Sequence, residues 1–163
     1  MADFAATEQR LAVTCRRYPD FPRRSATVVR LVKHIHKLVN DSANATLKPY
    51  GLNHPEYNLL MMLYGTASGT MSPSELADAT GEKSANITRL TNELCDMGLI
   101  ARAASADDRR KLDLSLTPKG LALIESFLPD ICGLLAREVR HLTVAEQTQL
   151  EKLLKKFLSG LAD

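Results

Sequence analysis

Tryptophan is absent from these 163 residues and aromatics make up only 5%, which argues against a β-sandwich or barrel built from Tyr-, Phe- and Val-rich strands. Cysteine is scarce. Cys15, Cys95 and Cys132 lie far apart, form no CxxC pair and leave one sulfur over whatever bridge is drawn, which points to a reducing compartment. The most apolar run, Leu59 to Tyr64, is far too short to span a bilayer. The first residues place Asp3 and Glu8 where a secretion signal carries bases and then an apolar stretch. These absences predict a soluble, cytoplasmic protein that needs no membrane. Glycine-rich phosphate loops, HExxH and GxSxG are also missing, and His34, His36, His54 and His141 are scattered. No enzymatic activity, metal or cofactor is expected.

What remains is an ordinary globular composition, 45% hydrophobic and 25% charged, in a length that suits a single domain. The net charge of +2 conceals an uneven distribution: residues 1–40 carry +5, 41–82 carry −4, 83–119 carry +2 and 121–163 carry −1. An acidic stretch between two basic ones suits a chain that offers only part of its surface to a polyanion. A mixed, solvated surface accounts for the same numbers.

Four helix starts are written in capping chemistry. Asn53 with Glu56, Ser72 with Glu75 and Thr143 with Glu146 form capping boxes, and Thr117-Pro118 supplies a fourth cap without the acid. Ahead of them, Val28, Leu31, Ile35 and Leu38 recur at helical spacing from Arg23 to about Leu47, ended by Pro49-Tyr50-Gly51. One segment breaks this rhythm. Leu99 to Ala103, then polar Ser105 to Arg110, then Leu112, Leu114 and Leu116 at period two predict a β-hairpin with a charged tip. Pro129 falls inside the first C-terminal helix and is expected to kink or interrupt it.

From Pro73 to Leu94 the pattern is that of a helix-turn-helix. Ala77 is small where two helices cross, Gly81 permits a left-handed turn, and Ile87, Leu90, Leu94 and Met97 form the second helix's inner stripe. Ala85, Thr88, Arg89 and Asn92 face away, flanked by Ser84 and Asn86. Such a face fits the major groove: Arg matches guanine O6 and N7, Asn matches adenine N6 and N7, and Ala meets a thymine methyl. A hairpin tipped by Asp108, Arg109 and Arg110 directly afterwards makes the unit a winged helix-turn-helix, whose wing places Arg in the minor groove.

With Asp108-Arg-Arg110 and the strand ending Leu116-Thr117, the chain resembles the multiple antibiotic resistance regulator (MarR) family from about Val28 to Leu158. The N-terminal segment containing Arg17 to Pro22 looks most like the branch that regulates multidrug efflux. The resemblance implies a mostly α fold with a small β-hairpin wing, in one MarR-type domain over 1–163. Residues 1–22 are then an N-terminal extension, 53–117 the winged DNA-binding part, and 23–50 with 118–163 the dimerisation helices. It assigns DNA contact to Ser84, Ala85, Asn86, Thr88 and Arg89, with Arg110 in the minor groove, Asp108 holding it and Arg109 as a second contact. Asn92 joins them from the helical wheel.

The stripe Leu142, Leu150, Leu153, Leu154, Phe157, Leu158 and Leu161 suits a homodimer, and a two-fold dimer matches two DNA half-sites. The resemblance also implies a small aromatic acid or phenol as effector, with Arg30, His34, Tyr57, Met61 and Tyr64 as lining residues. The expected protein is a repressor on a pseudo-palindromic operator, released by such an effector. Two alternatives stay open. Cys15, beside Arg16 and Arg17, is a candidate redox sensor, with Cys95 and Cys132 read as small buried hydrophobes. A winged-helix module that binds protein instead of DNA is the other.

Overall fold

The computed structural model describes residues 4–104 and 112–161. Seven α-helices and three short strands occur among them: α1 (Ala5–Arg17), α2 (Arg23–Leu47), α3 (His54–Gly65), β1 (Thr70–Met71), α4 (Pro73–Thr80), α5 (Ser84–Asp96), β2 (Ile100–Ala104), β3 (Leu112–Leu116), α6 (Pro118–Glu138) and α7 (Val144–Ser159). The fold is mostly α with a small antiparallel sheet. No helix among the described residues is long and apolar enough to cross a membrane. The chain forms two compact units, Met1–Ser42 and Ala43–Asp163.

All four capped starts occur where the sequence places them. Asn53, Ser72 and Thr143 each accept from the backbone N–H three residues on, and Glu56, Glu75 and Glu146 reach back to the cap's own N–H. The first unit contains α1, which has no side-chain cap and no counterpart in the sequence reading. Its Leu11 is buried, whereas Val28, Leu31, Ile35 and Leu38 on α2 are exposed.

The second unit holds the main core: Ala43 and Leu47 from α2, Leu59, Leu60 and Leu63 from α3, Leu76 from α4, Ile87, Leu90 and Leu94 from α5, Leu114 from β3, and Ile124, Phe127 and Ile131 from α6. Phe127 meets Tyr50 and Tyr57 edge-on, with ring centroids 6.0 and 5.6 Å away. Helix α4 ends at Gly81, whose φ of 70° is the left-handed conformation expected of that turn. The sheet runs β1-β3-β2, with Thr70 opposite Ser115 and Ile100 opposite Leu116. β1 is an addition to the expected hairpin, two residues long and paired only with β3.

Pro129 does not interrupt its helix: α6 is continuous from Pro118 to Glu138. Proline lacks the N–H that would reach the Glu125 carbonyl, and both residues are solvent-exposed. Tyr50 adds a tie at the same place, its hydroxyl donating to the Asp130 carboxylate at 2.7 Å and lying 3.3 Å from the Ser126 carbonyl. Helix α7 has no buried residue in the lone chain; Leu153 is 55% exposed and Leu158 67%.

Candidate nucleic-acid interface

Helix α5 divides along its length as its apolar spacing requires. Ile87, Leu90 and Leu94 are buried, as expected, together with Thr91, which the apolar pattern does not reveal. Met97 is half-buried against the core. Ser84, Ala85, Thr88, Arg89 and Asn92 are exposed on the other side, and Asn86 is half-buried at its edge. Six of the nine residues proposed for DNA contact therefore share one outward side of α5. Asp108, Arg109 and Arg110 lie outside the described residues.

Asn86, Arg89 and Asn92 on this face are already engaged within the chain. Asn86 Nδ2 donates to Glu82 at 2.6 Å, and its Oδ1 accepts from Arg89 Nη2 at 2.8 Å. Arg89 Nη1 donates to both oxygens of Glu93, at 2.7 and 2.8 Å. Asn92 Oδ1 accepts from Arg102 Nη2 at 2.6 Å, and that nitrogen also donates to the buried Thr91 hydroxyl at 2.9 Å. That contact occupies the acceptor end of the Asn92 amide. A donor suits a phosphate oxygen or a guanine acceptor, whereas bidentate pairing to adenine needs both ends.

Arg102 is the residue that sequence reasoning missed. It stands on β2 and ties the wing sheet to α5, ten residues from Asn92 along the chain, so no local spacing signals the contact. The Asn86, Arg89 and Glu93 contacts, by contrast, follow i+3 and i+4 spacing and are readable from the sequence.

Behind the sheet, Thr117 joins the wing to α6. Its N–H donates to the Leu99 carbonyl at 3.0 Å, its hydroxyl donates to the Gly98 carbonyl at 2.7 Å, and its Oγ accepts from Gly120 N–H at 3.0 Å. Lys119 Nζ closes the same corner on the Met97 carbonyl at 2.7 Å. The end of α5, the start of β2 and the first turn of α6 are thus held at one point.

These features agree with what the chain is similar to. Residues 50–111, which contain α3, α4, α5 and β2, match the sequence profile of the MarR family. Over nearly its whole length the chain is similar to the transcriptional repressor MprA of Escherichia coli, with 34% identity across 160 residues, 98% of this chain and 91% of that protein. The chain belongs to the MarR family. It is accordingly a winged-helix transcriptional regulator that binds DNA, and not an enzyme. The fold of this MarR-family chain is similar to that of AbsC, a MarR family regulator from Streptomyces coelicolor, with a TM-score of 0.78, 25% identity, and 84% and 93% of the two chains covered. It is also similar in fold to a MarR variant from E. coli solved with operator DNA, at a TM-score of 0.77 and 24% identity over 85% of this chain and 99% of that one.

The residues proposed for an effector divide between the two units. In the first, Arg30 and His34 come together on a cleft of about 260 Å³ with Phe4, Thr7, Lys33 and Lys37. The His34 ring lies 5.8 Å from Phe4, and its Nε2 is shielded from solvent with no hydrogen-bond partner among the described residues. In the second unit, Tyr57 is half-buried between His54 and Phe127, Met61 packs against the core, and Tyr64 is exposed. Burial, and then the neighbouring Cys132, push the Tyr57 phenol above its ordinary pKa. The cysteines are all free. Cys15 and Cys95 are half-buried, but Cys132 is exposed on α6, which corrects its reading as a buried hydrophobe.

Proposed function

We propose that this MarR-family protein is a cytoplasmic repressor that binds a pseudo-palindromic operator as a homodimer, reading bases with α5 and reaching the minor groove with Arg110 of the wing. The outward face of α5 carries this reading: Ser84, Ala85, Thr88, Arg89 and Asn92 are exposed together while the opposite side is sealed into the core. MprA, similar over the full chain, is a transcriptional repressor, and its match includes the N-terminal segment that resembles the multidrug-efflux branch. The homodimer rests on the leucines of α7, an apolar face with no cover in the lone chain. Residues 23–50 and 118–163 supply its dimerisation helices.

The effector in this reading is a small aromatic carboxylate or phenol. Arg30 and His34, on their cleft in the first unit, are the groups suited to its anion, and Tyr57, Met61 and Tyr64 are proposed separately, within the second unit, as polarizable contacts. A BpsR structure from Bordetella bronchiseptica, similar in fold at a TM-score of 0.72, concerns regulation of DNA binding by 6-hydroxynicotinic acid, a ligand of this chemical kind. Such a ligand acts only through a difference in affinity between the DNA-competent and DNA-released arrangements.

The test is selection of bound duplexes from a random library, then anisotropy titration of the winner across salt for the native protein and Arg89→Ala. An inverted repeat with half-sites about one helical turn apart, a steep salt slope and loss of selectivity in the variant support the reading. Weak, sequence-independent binding that is equal in the variant overturns it. A light-scattering mass of one chain at micromolar concentration removes the dimer. A panel of hydroxylated benzoates and pyridine carboxylates that moves neither Tm nor DNA affinity removes the effector.

A further inference from the structure

Every nitrogen of the Arg89 guanidinium is engaged within the chain. Nε and Nη2 face Asn86 Oδ1 at 3.2 and 2.8 Å, and Nη1 faces the Glu93 carboxylate. Asn86 is itself held by Glu82, so residues 82, 86, 89 and 93 form one line of contacts in which two carboxylates bracket one cation. Arg89 is the only basic residue between Ser84 and Asp96.

We propose that Glu93 is a specificity-determining residue of this regulator, balancing the charge of Arg89 so that the guanidinium favours base edges over phosphates. The proposal rests on the reading of α5 as the base-contacting helix. A phosphate that takes Arg89 merely exchanges one anion for another, and it strands the Glu93 carboxylate beside the negative DNA backbone. A guanine edge is neutral and accepts two N–H bonds, so Arg89 can serve it while its charge stays balanced by Glu93. The carboxylate thereby opposes sequence-independent binding more than specific binding, and specificity is the difference between those two affinities. Both side chains are well exposed, at 54% and 41%, so the effect is modest in size.

The experiment uses the full-length protein, a duplex selected from the random library and a random-sequence duplex of equal length. Glu93→Gln keeps the shape and removes the charge. Its affinity for the random duplex is expected to rise about threefold with a salt slope steeper by about one, while affinity for the selected duplex changes less. The same substitution in an Arg89→Ala background is expected to leave random-duplex binding unchanged, because no guanidinium remains to be released. An equal gain in both backgrounds overturns the proposal, since Glu93 then acts by simple repulsion. An unchanged ratio of selected to random affinity in Glu93→Gln also overturns it, and loss of selected-duplex binding in Arg89→Ala would show that the α5 reading still stands. If Arg89→Ala binds the selected duplex as the native protein does, both readings fall together.

Discussion

The first turn of α6 is seated so closely on the start of β2 that a Cβ added to Gly120 stands 2.1 Å from the Leu99 carbonyl oxygen. That oxygen also accepts the Thr117 N–H at 3.0 Å, so it is fixed from a second direction and cannot yield. The wing strand and the helix leading away from it are joined through backbone.

Gly120→Ala is therefore expected to cost about 3 kcal/mol, since α6 has to lift from β2 to admit the methyl group. Gly133→Ala in the same helix serves as a control of opposite sign. There the nearest neighbour of an added Cβ is the flexible end of Arg137, at 3.4 Å, and the better helix former is expected to add about 0.5–1 kcal/mol. Urea melts of both variants check the pair; two changes of the same sign contradict the packing.

Asn53→Ala removes the acceptor for the Glu56 N–H at the start of α3, a 3.0 Å bond. Helix α3 supplies Leu59, Leu60 and Leu63 to the core, so the loss is felt in global stability, by about 1 kcal/mol. Asn53→Ser, which keeps an N-cap acceptor, should recover most of it in the same denaturant titration.

The hydrogen bond from Tyr50 to Asp130, with some burial and the nearby negative charge, raises the Tyr50 pKa above its usual value of 10.0. A folded-state pKa above the unfolded one means stability that is complete below pH about 10 and lost as pH rises through the raised value. The stability gap between native protein and Tyr50→Phe should thus be constant from pH 7 to about 9 and close at higher pH. At the acid end the sign reverses: the Thr143 N–H and hydroxyl lower the Glu146 pKa, so that contribution is present at neutral pH and disappears as pH falls through the lowered value. Thermal melts across pH for Tyr50→Phe and Glu146→Gln measure each arm.

Arg102→Ala leaves the Thr91 hydroxyl, on a residue only 2% exposed, without the guanidinium that meets it. The hydroxyl keeps its own bond to the Thr88 carbonyl at 3.1 Å, so the cost expected is that of one lost hydrogen bond, about 0.5–1.5 kcal/mol. The variant also frees Asn92 Oδ1, so affinity for the selected duplex should fall while the salt slope is retained, because Arg102 acts by positioning α5 and not through phosphate contact. A reduced slope in the titration would instead make Arg102 a direct phosphate ligand.

The elements legible in the sequence are those set by near neighbours along the chain. Three capping boxes, the Thr117 cap, the left-handed Gly81 and the exposed set Ser84, Ala85, Thr88, Arg89 and Asn92 depend on residues three or four apart, and each is present. The period-two leucines likewise mark β3, although only Leu114 of the three is buried. Helix α1 escaped notice because Phe4 offers no cap hydrogen bond and the surrounding residues carry no strong apolar stripe.

Tertiary structure decided what depends on partners distant in sequence. β1 exists because two residues find an edge of β3, and Pro129 sits at a solvent-exposed position within a continuous helix. Arg102 reaches across from β2 to the buried Thr91 hydroxyl, and that same reach occupies the acceptor end of Asn92. The sequence by itself determined that α5 has an outward polar face, since helical periodicity sorts side chains by spacing alone. Which end of the Asn92 amide remains available to DNA was decided only by folding, because Arg102 commits the acceptor from another strand, and no local spacing encodes that.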